Sequence, residues 1–265
     1  MSTGPGFELW WAAPGDADPA LRELLAPDEL ARLDRYRVPA AADRYLTGRA
    51  LLRLVLGRWL DLPARLVPLT SGCPDCGGPH GRPRLPERYA WLGLSVSHSG
   101  GRVGVAVGPA PLGLDIAEID QDIDLSPDGG VLTSALAPAE AAALLALAPE
   151  ARAAAFAVVW ARKEAALKAL GVGLAQPPAR LVVSLAHEPP AIREMDPALR
   201  PPDGRLTLHD LAERHTGERY RGCLATISQH SESKQNEKGR ESQSRLMARD
   251  GTTLLLKHFA TVSPH

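Results

Sequence analysis

The chain has 265 residues, 45% of them hydrophobic, and a formal net charge of −1, enough for one large domain or two smaller ones with separate cores. The near-neutral balance gives no overall attraction to nucleic acid or to an anionic membrane, and no run of about 18 apolar residues predicts a membrane span. With no basic-then-apolar leader and only three cysteines, neither secretion nor a disulfide framework is expected, and a cytoplasmic location is the default.

Charge is uneven along the chain. Seven arginines fall between positions 32 and 58, against Asp34 and Asp43, whereas residues 111–150 hold eight acids and no Lys or Arg. Most of these read as solvated faces, but a ligand carrying phosphates together with a divalent metal would draw on both.

FELWWA (7–12) predicts a short strand and about 19–35 a helix. The segment from about Ala41 to Leu60 predicts a second helix, with Tyr45, Leu52, Val55, Leu56 and Trp59 at helical spacing. Leu66–Leu69 reads as a strand, followed by a loop rich in Gly and Pro. LSVSHSGGRVGVAVG (94–108) is a hairpin joined by Gly100 and Gly101. LGLDIAEI (112–119) is a strand. Helices are expected at about 138–147 and 149–170, each opened by a proline, the second stopped by Gly171. LVVSL (181–185) and YRGCLATI (220–227) complete the strands. Each half thus runs through a strand, helices, a long helix and further strands. The fold expected is α+β, two similar halves packed face to face, with boundaries at 1–110 and 111–227. Residues 228–265 form a polar tail, expected to be disordered, with an apolar stretch at 252–262 that could dock as strand or helix.

The helix at 149–170 poses the chemical question. Trp160, Glu164 and Lys168 recur every four residues and share one stripe. They form either a surface ion pair or one wall of a site. Asp115 follows a β-like apolar run, where an ionised carboxylate needs a cation, a buried arginine or a set of donors. If the helix crosses that strand end, Asp115 and Glu164 offer the one or two carboxylates that Mg²⁺ takes beside substrate phosphates. Ser97, His98 and Ser99 precede two glycines and supply donors for an anion; no nucleophile elbow surrounds them. DQDID (120–124) lacks the Gly and Glu of a calcium loop, since Leu125 and Val131 stand there. Cys73, Cys76 and His80 make half a zinc site, with Cys223 or a distant His left to complete it.

In order, GRP (81–83), SHS (97–99), GLD (113–115) and WARKEAALK (160–168) resemble the motifs of the 4′-phosphopantetheinyl transferases of the surfactin-synthetase type. The resemblance covers about residues 7–227. It implies a pseudo-dimer of two α+β halves with the active site in the cleft between them. It also implies Mg²⁺ as cofactor, coenzyme A as co-substrate and an apo acyl or peptidyl carrier protein as partner, handled by a monomer. Residue by residue, it makes Asp115 and Glu164 the metal ligands and Glu164 the base. Lys168 and His98 contact the coenzyme A phosphates, with Ser97 beside them. Arg32 and Arg44 serve the adenosine 3′-phosphate, and Arg82 replaces the lysine of G-K-P. One position departs from the pattern: the second acid of G-x-D-x-E falls on Ala117, with Glu118 one step later. Glu118 faces away from Asp115 unless a bulge turns it. The other readings are a metal-dependent phosphohydrolase acting on coenzyme A-like pyrophosphates, and a non-catalytic module binding zinc or a partner.

Overall fold

The computed structural model describes residues 6–16, 18–72, 77–78, 81–127, 129–228 and 247–255. Cys73, Cys76 and His80 lie outside the described residues. The fold is mixed α+β and divides into two compact units, Met1–Pro109 with Ser242–His265, and Ala110–Glu241.

In the first unit, β1 (Glu8–Ala12) is followed by α1 (Pro27–Leu33) and α2 (Pro39–Leu60), then by β2 (Gly93–Ser99) and β3 (Arg102–Gly108). The expected helix over 19–35 is broken: a 3₁₀ turn spans Pro19–Leu24, and α1 begins afresh at Pro27. Pro27 has no N–H to continue the turn, and it holds Ala26 extended. Leu66–Leu69 forms no strand. Pro68 stands within it, a 3₁₀ turn, Ala64–Leu66, runs into its first residue, and an isolated bridge between Thr70 and Arg84 follows. The hairpin is as expected, with Gly100 at φ +50° in the turn. β3 pairs antiparallel with both β2 and β1. α2 buries Leu51, Leu52, Val55 and Leu56 completely against this sheet. A β-carbon at Gly48 would lie 3.3 and 3.4 Å from the Val96 and Val103 side chains, tighter than usual, so glycine eases the approach of the helix to the sheet.

The second unit begins with β4 (Leu112–Glu118), then α3 (Gly130–Ala135), α4 (Pro138–Leu145) and α5 (Pro149–Leu170). β5 (Leu181–Val183) and β6 (Ile192–Met195) form a small hairpin. They precede β7 (Arg205–Leu211), α6 (Glu213–Thr216) and β8 (Tyr220–Ser228). The main sheet runs β4-β8-β7, antiparallel throughout. Each unit therefore lays a 22-residue helix on a sheet whose hairpin-derived strands pair antiparallel. α5 ends at Gly171, whose φ of +77° lets its N–H reach back to the Leu167 and Lys168 carbonyls.

The polar tail expected from 228 is not uniform. β9 (Met247–Asp250) pairs parallel to β1 and becomes the edge of the first unit's sheet, in the order β2-β3-β1-β9. Arg249 lies 3.2 Å from Glu8 and packs over the Trp10 ring, and Leu255 is 1% exposed in the first unit's core. A parallel partner drawn from the far end of the sequence leaves no local signal, which is why the sequence reading placed it in the tail.

Candidate active site

α5 crosses β4 at Gly113. A β-carbon there would collide with the Ala165 carbonyl oxygen and the Ala169 amide, so only glycine lets the helix backbone lie on the strand. Gly113, Asp115 and Ala117 share this face by the period of two. The contact sets Asp115 against the helix stripe that carries Glu164 and Lys168. Lys168 Nζ donates to Asp115 Oδ1 at 2.6 Å and lies 3.9 Å from Glu164 Oε2. The two acids, far apart in sequence, thus meet at one ammonium rather than on opposite sides of the unit.

Burial sharpens the electrostatics. Asp115 and Glu164 are 5% and 7% exposed, and Glu164 Oε1 is buried with no hydrogen-bond partner among the described residues. Desolvation pushes the Glu164 carboxyl above its usual range, Lys168 pulls it down, and the charge on Asp115 raises it again. Trp160, one turn before Glu164, stacks on Phe156 with ring centroids 6.0 Å apart and packs against the core. It anchors the stripe, as the spacing suggests.

Glu118 does not replace the acid missing at position 117. β4 and β8 pair without a register shift from Leu112↔Thr226 to Glu118↔Tyr220, so no bulge turns Glu118 inward. Its carboxylate accepts from Arg219 Nη2 at 2.8 Å.

The two cations between Trp160 and Glu164 point elsewhere. Arg162 grips both oxygens of Asp210, the carbonyls of Ser184, Leu185 and Glu188, and the Ser184 hydroxyl. Lys163, fully buried, pairs with Glu140 at 2.6 Å and donates to the Pro178 and Leu181 carbonyls. Burial lowers the Lys163 pKa, partly offset by Glu140. Glu140 also accepts from the Ala137 and Val183 amides. Sequence reading missed this support because charged residues on a helix read as solvated; the one signal is that both cations abut Glu164. Cys223, considered for a zinc site, is fully buried opposite Asp115 in the sheet. Burial raises its thiol pKa.

The remaining predicted residues belong to the first unit. Ser97 is buried and His98 exposed on adjacent positions of β2. Arg82 donates to the Leu94 carbonyl at 3.3 Å, and burial lowers its pKa, with Arg84 adding to the effect. Arg44 is half-buried near the start of α2, and Arg32, in the last turn of α1, lies 5.2 Å from the Tyr45 ring centroid. Arg49 was not singled out from sequence. It lies against the same ring at 5.4 Å, 3.7 Å from Glu29, which also holds Arg53 at 2.6 Å. The spacing of Tyr45, Arg49 and Arg53 at four-residue steps is the signal that could have shown it. Among the described residues, no group of three or more His, Cys, Asp or Glu side chains is placed to hold a metal.

The site therefore brings two carboxylates and one lysine together at the glycine crossing. Comparison with known proteins names the class. The family model of the 4′-phosphopantetheinyl transferase superfamily matches residues 111–221, within the second unit. The chain is 32% identical over 173 residues to a Synechocystis sp. protein named "Putative 4′-phosphopantetheinyl transferase"; the match covers 62% of this chain and 65% of that one. It is 30% identical over 174 residues to the 4′-phosphopantetheinyl transferase HetI of a Nostoc species, covering 63% and 70%. It is also 30% identical over 155 residues to the 4′-phosphopantetheinyl transferase psf-1 of Bacillus pumilus, covering 58% and 61%. The chain thus spans slightly under two thirds of the Synechocystis and Bacillus relatives' length. It belongs to the 4′-phosphopantetheinyl transferase superfamily.

Proposed function

We propose that this chain transfers the 4′-phosphopantetheine group of coenzyme A to a serine of an apo acyl or peptidyl carrier protein, in a Mg²⁺-dependent reaction that releases adenosine 3′,5′-bisphosphate. The observation that carries the reading is the meeting of Asp115 and Glu164 at Lys168, inside the region matched by the family model. The reading includes the surfactin-synthetase type of the family. It also includes a pseudo-dimeric arrangement in one chain, with coenzyme A between the halves and Arg32, Arg44, Arg82, Ser97 and His98 on the phosphate and adenosine side.

The residues fit a hard divalent cation. Both acids offer carboxylate oxygens, and the buried Glu164 Oε1 has no hydrogen-bond partner among the described residues. Mg²⁺ held by Asp115 and Glu164 would supply charge neutralisation on the diphosphate as it is cleaved. The chain's own groups do the rest. Lys168 and His98 bind diphosphate oxygens and hold the phosphorus for in-line attack. Glu164 receives the serine proton, directly or through a water. The serine oxygen bonds to the phosphorus bearing pantetheine, and the bond to the bridging oxygen breaks. Its electron pair leaves with adenosine 3′,5′-bisphosphate.

The test is incubation with coenzyme A, Mg²⁺ and apo carrier proteins of several pathways, read by intact mass. A carrier gaining one phosphopantetheine, with the gain lost in Asp115→Ala and Glu164→Gln chains that still fold, is the expected result. Unchanged mass across all carriers refutes the reading. Cleavage of coenzyme A without any carrier would instead mark a phosphohydrolase.

A further inference from the structure

The two carboxylates of the second unit already have a cation. Lys168 Nζ lies 2.6 Å from Asp115 Oδ1 and 3.9 Å from Glu164 Oε2, with the acid side chains 7% and 10% exposed. Both carboxylates thus lie within reach of this one ammonium. Among the described residues no group of three or more His, Cys, Asp or Glu side chains is placed to hold a metal, position 117 is an alanine, and Glu118 is engaged by Arg219. A divalent ion arriving alone would have to share Asp115 with an ammonium, and in a poorly solvated setting that like-charge contact is expensive. A diphosphate reverses the balance. It brings oxygens of its own to the ion and gives the ammonium another anion to bind.

We propose that Lys168 is a resident counter-cation that makes divalent-metal binding conditional on the diphosphate substrate. Metal and coenzyme A load together as Lys168 moves from Asp115 to the phosphates. The inference rests on the transferase reading above and adds to it an order of assembly. Lys168 is placed for such a move: its side chain is 24% exposed, at the last turn of α5, on a flexible four-carbon stem. Coupling of this kind is reciprocal, so the metal must tighten coenzyme A by the factor by which coenzyme A tightens the metal.

The test is a titration of the full chain with Mn²⁺, free Mn²⁺ being read by electron paramagnetic resonance, with and without coenzyme A. Wild type is compared with Lys168→Met, Lys168→Gln, Asp115→Ala and the Lys168→Met/Asp115→Ala pair. Wild type should bind Mn²⁺ about 5- to 150-fold more tightly when coenzyme A is present. Either Lys168 variant should bind Mn²⁺ alone more tightly than wild type by a factor in the same range, and adding Asp115→Ala should erase the gain. If the Lys168 variants bind Mn²⁺ alone no better than wild type, while Asp115→Ala weakens binding in the presence of coenzyme A, the counter-cation is refuted and the transferase site stands. If Asp115→Ala changes Mn²⁺ binding under neither condition, the metal site itself is wrong and the counter-cation falls with it.

Discussion

Glu164 shows how much one buried carboxylate can report. Its desolvated carboxyl has a raised pKa in the folded chain, so the folded state holds its proton where the unfolded state has released it. Stability contributed at this position therefore falls as pH climbs above the ordinary value of 4.5. In metal-free protein, Glu164→Gln should gain stability over wild type as pH rises through that window, and the difference should vanish below it; urea titrations across pH measure this. Glu118 provides the opposite case. It pairs with Arg219, whose side chain is 79% exposed, and an exposed pair contributes about 0–1 kcal/mol. Glu118→Gln should leave transfer activity within about twofold and stability within that range; a large loss of activity would overturn the reading of β4. That Asp115 would meet the stripe of Glu164 and Lys168 was legible from motif order and four-residue spacing. The fate of Glu118 was not, because it turns on whether β4 carries a bulge, and that depends on its pairing with β8 about a hundred residues later.

At the scale of elements, α5 is fixed by two devices on different sides. Gly113 admits its backbone onto β4. Gly113→Ala should therefore lower stability by about 1–3 kcal/mol and displace Glu164 and Lys168 together, which activity and denaturation can measure on one preparation. On another side, Lys163 and Glu140 form a fully buried pair. Lys163→Met alone strands the Glu140 carboxylate and should cost about 3–5 kcal/mol, whereas adding Glu140→Leu should recover much of the loss. Denaturant titration of the two singles and the double separates the pair from simple packing. Helix α5 itself was readable from Pro149, its apolar spacing and Gly171. β7 was readable too, since Leu206 and Leu208 alternate with polar residues, yet the sequence reading passed over it. The buried cations were not readable, because composition cannot distinguish a lysine that meets solvent from one enclosed by carbonyls.

At the scale of the molecule, the first unit is assembled from both ends of the chain. β1 lies between β3 and β9, and Leu255, with Leu254 packed beside it, joins a core drawn mainly from residues before 110. Leu255→Ala should cost about 2–5 kcal/mol, and hydrogen exchange should quicken in β1 while β8 is spared. Equal acceleration in both strands would show that the two units unfold as one. The α+β class and the pairing of β2 with β3 were legible because the hairpin signal is local, whereas a parallel edge strand supplied from beyond 240 announces itself only through the sheet it joins. That arrangement also bears on biosynthesis. Translation at roughly 5–20 residues per second leaves the edge of β1 without its neighbour for several seconds or longer after β3 has emerged. An uncovered strand edge is a template for foreign pairing, so the nascent protein carries that liability while the second unit is still being made.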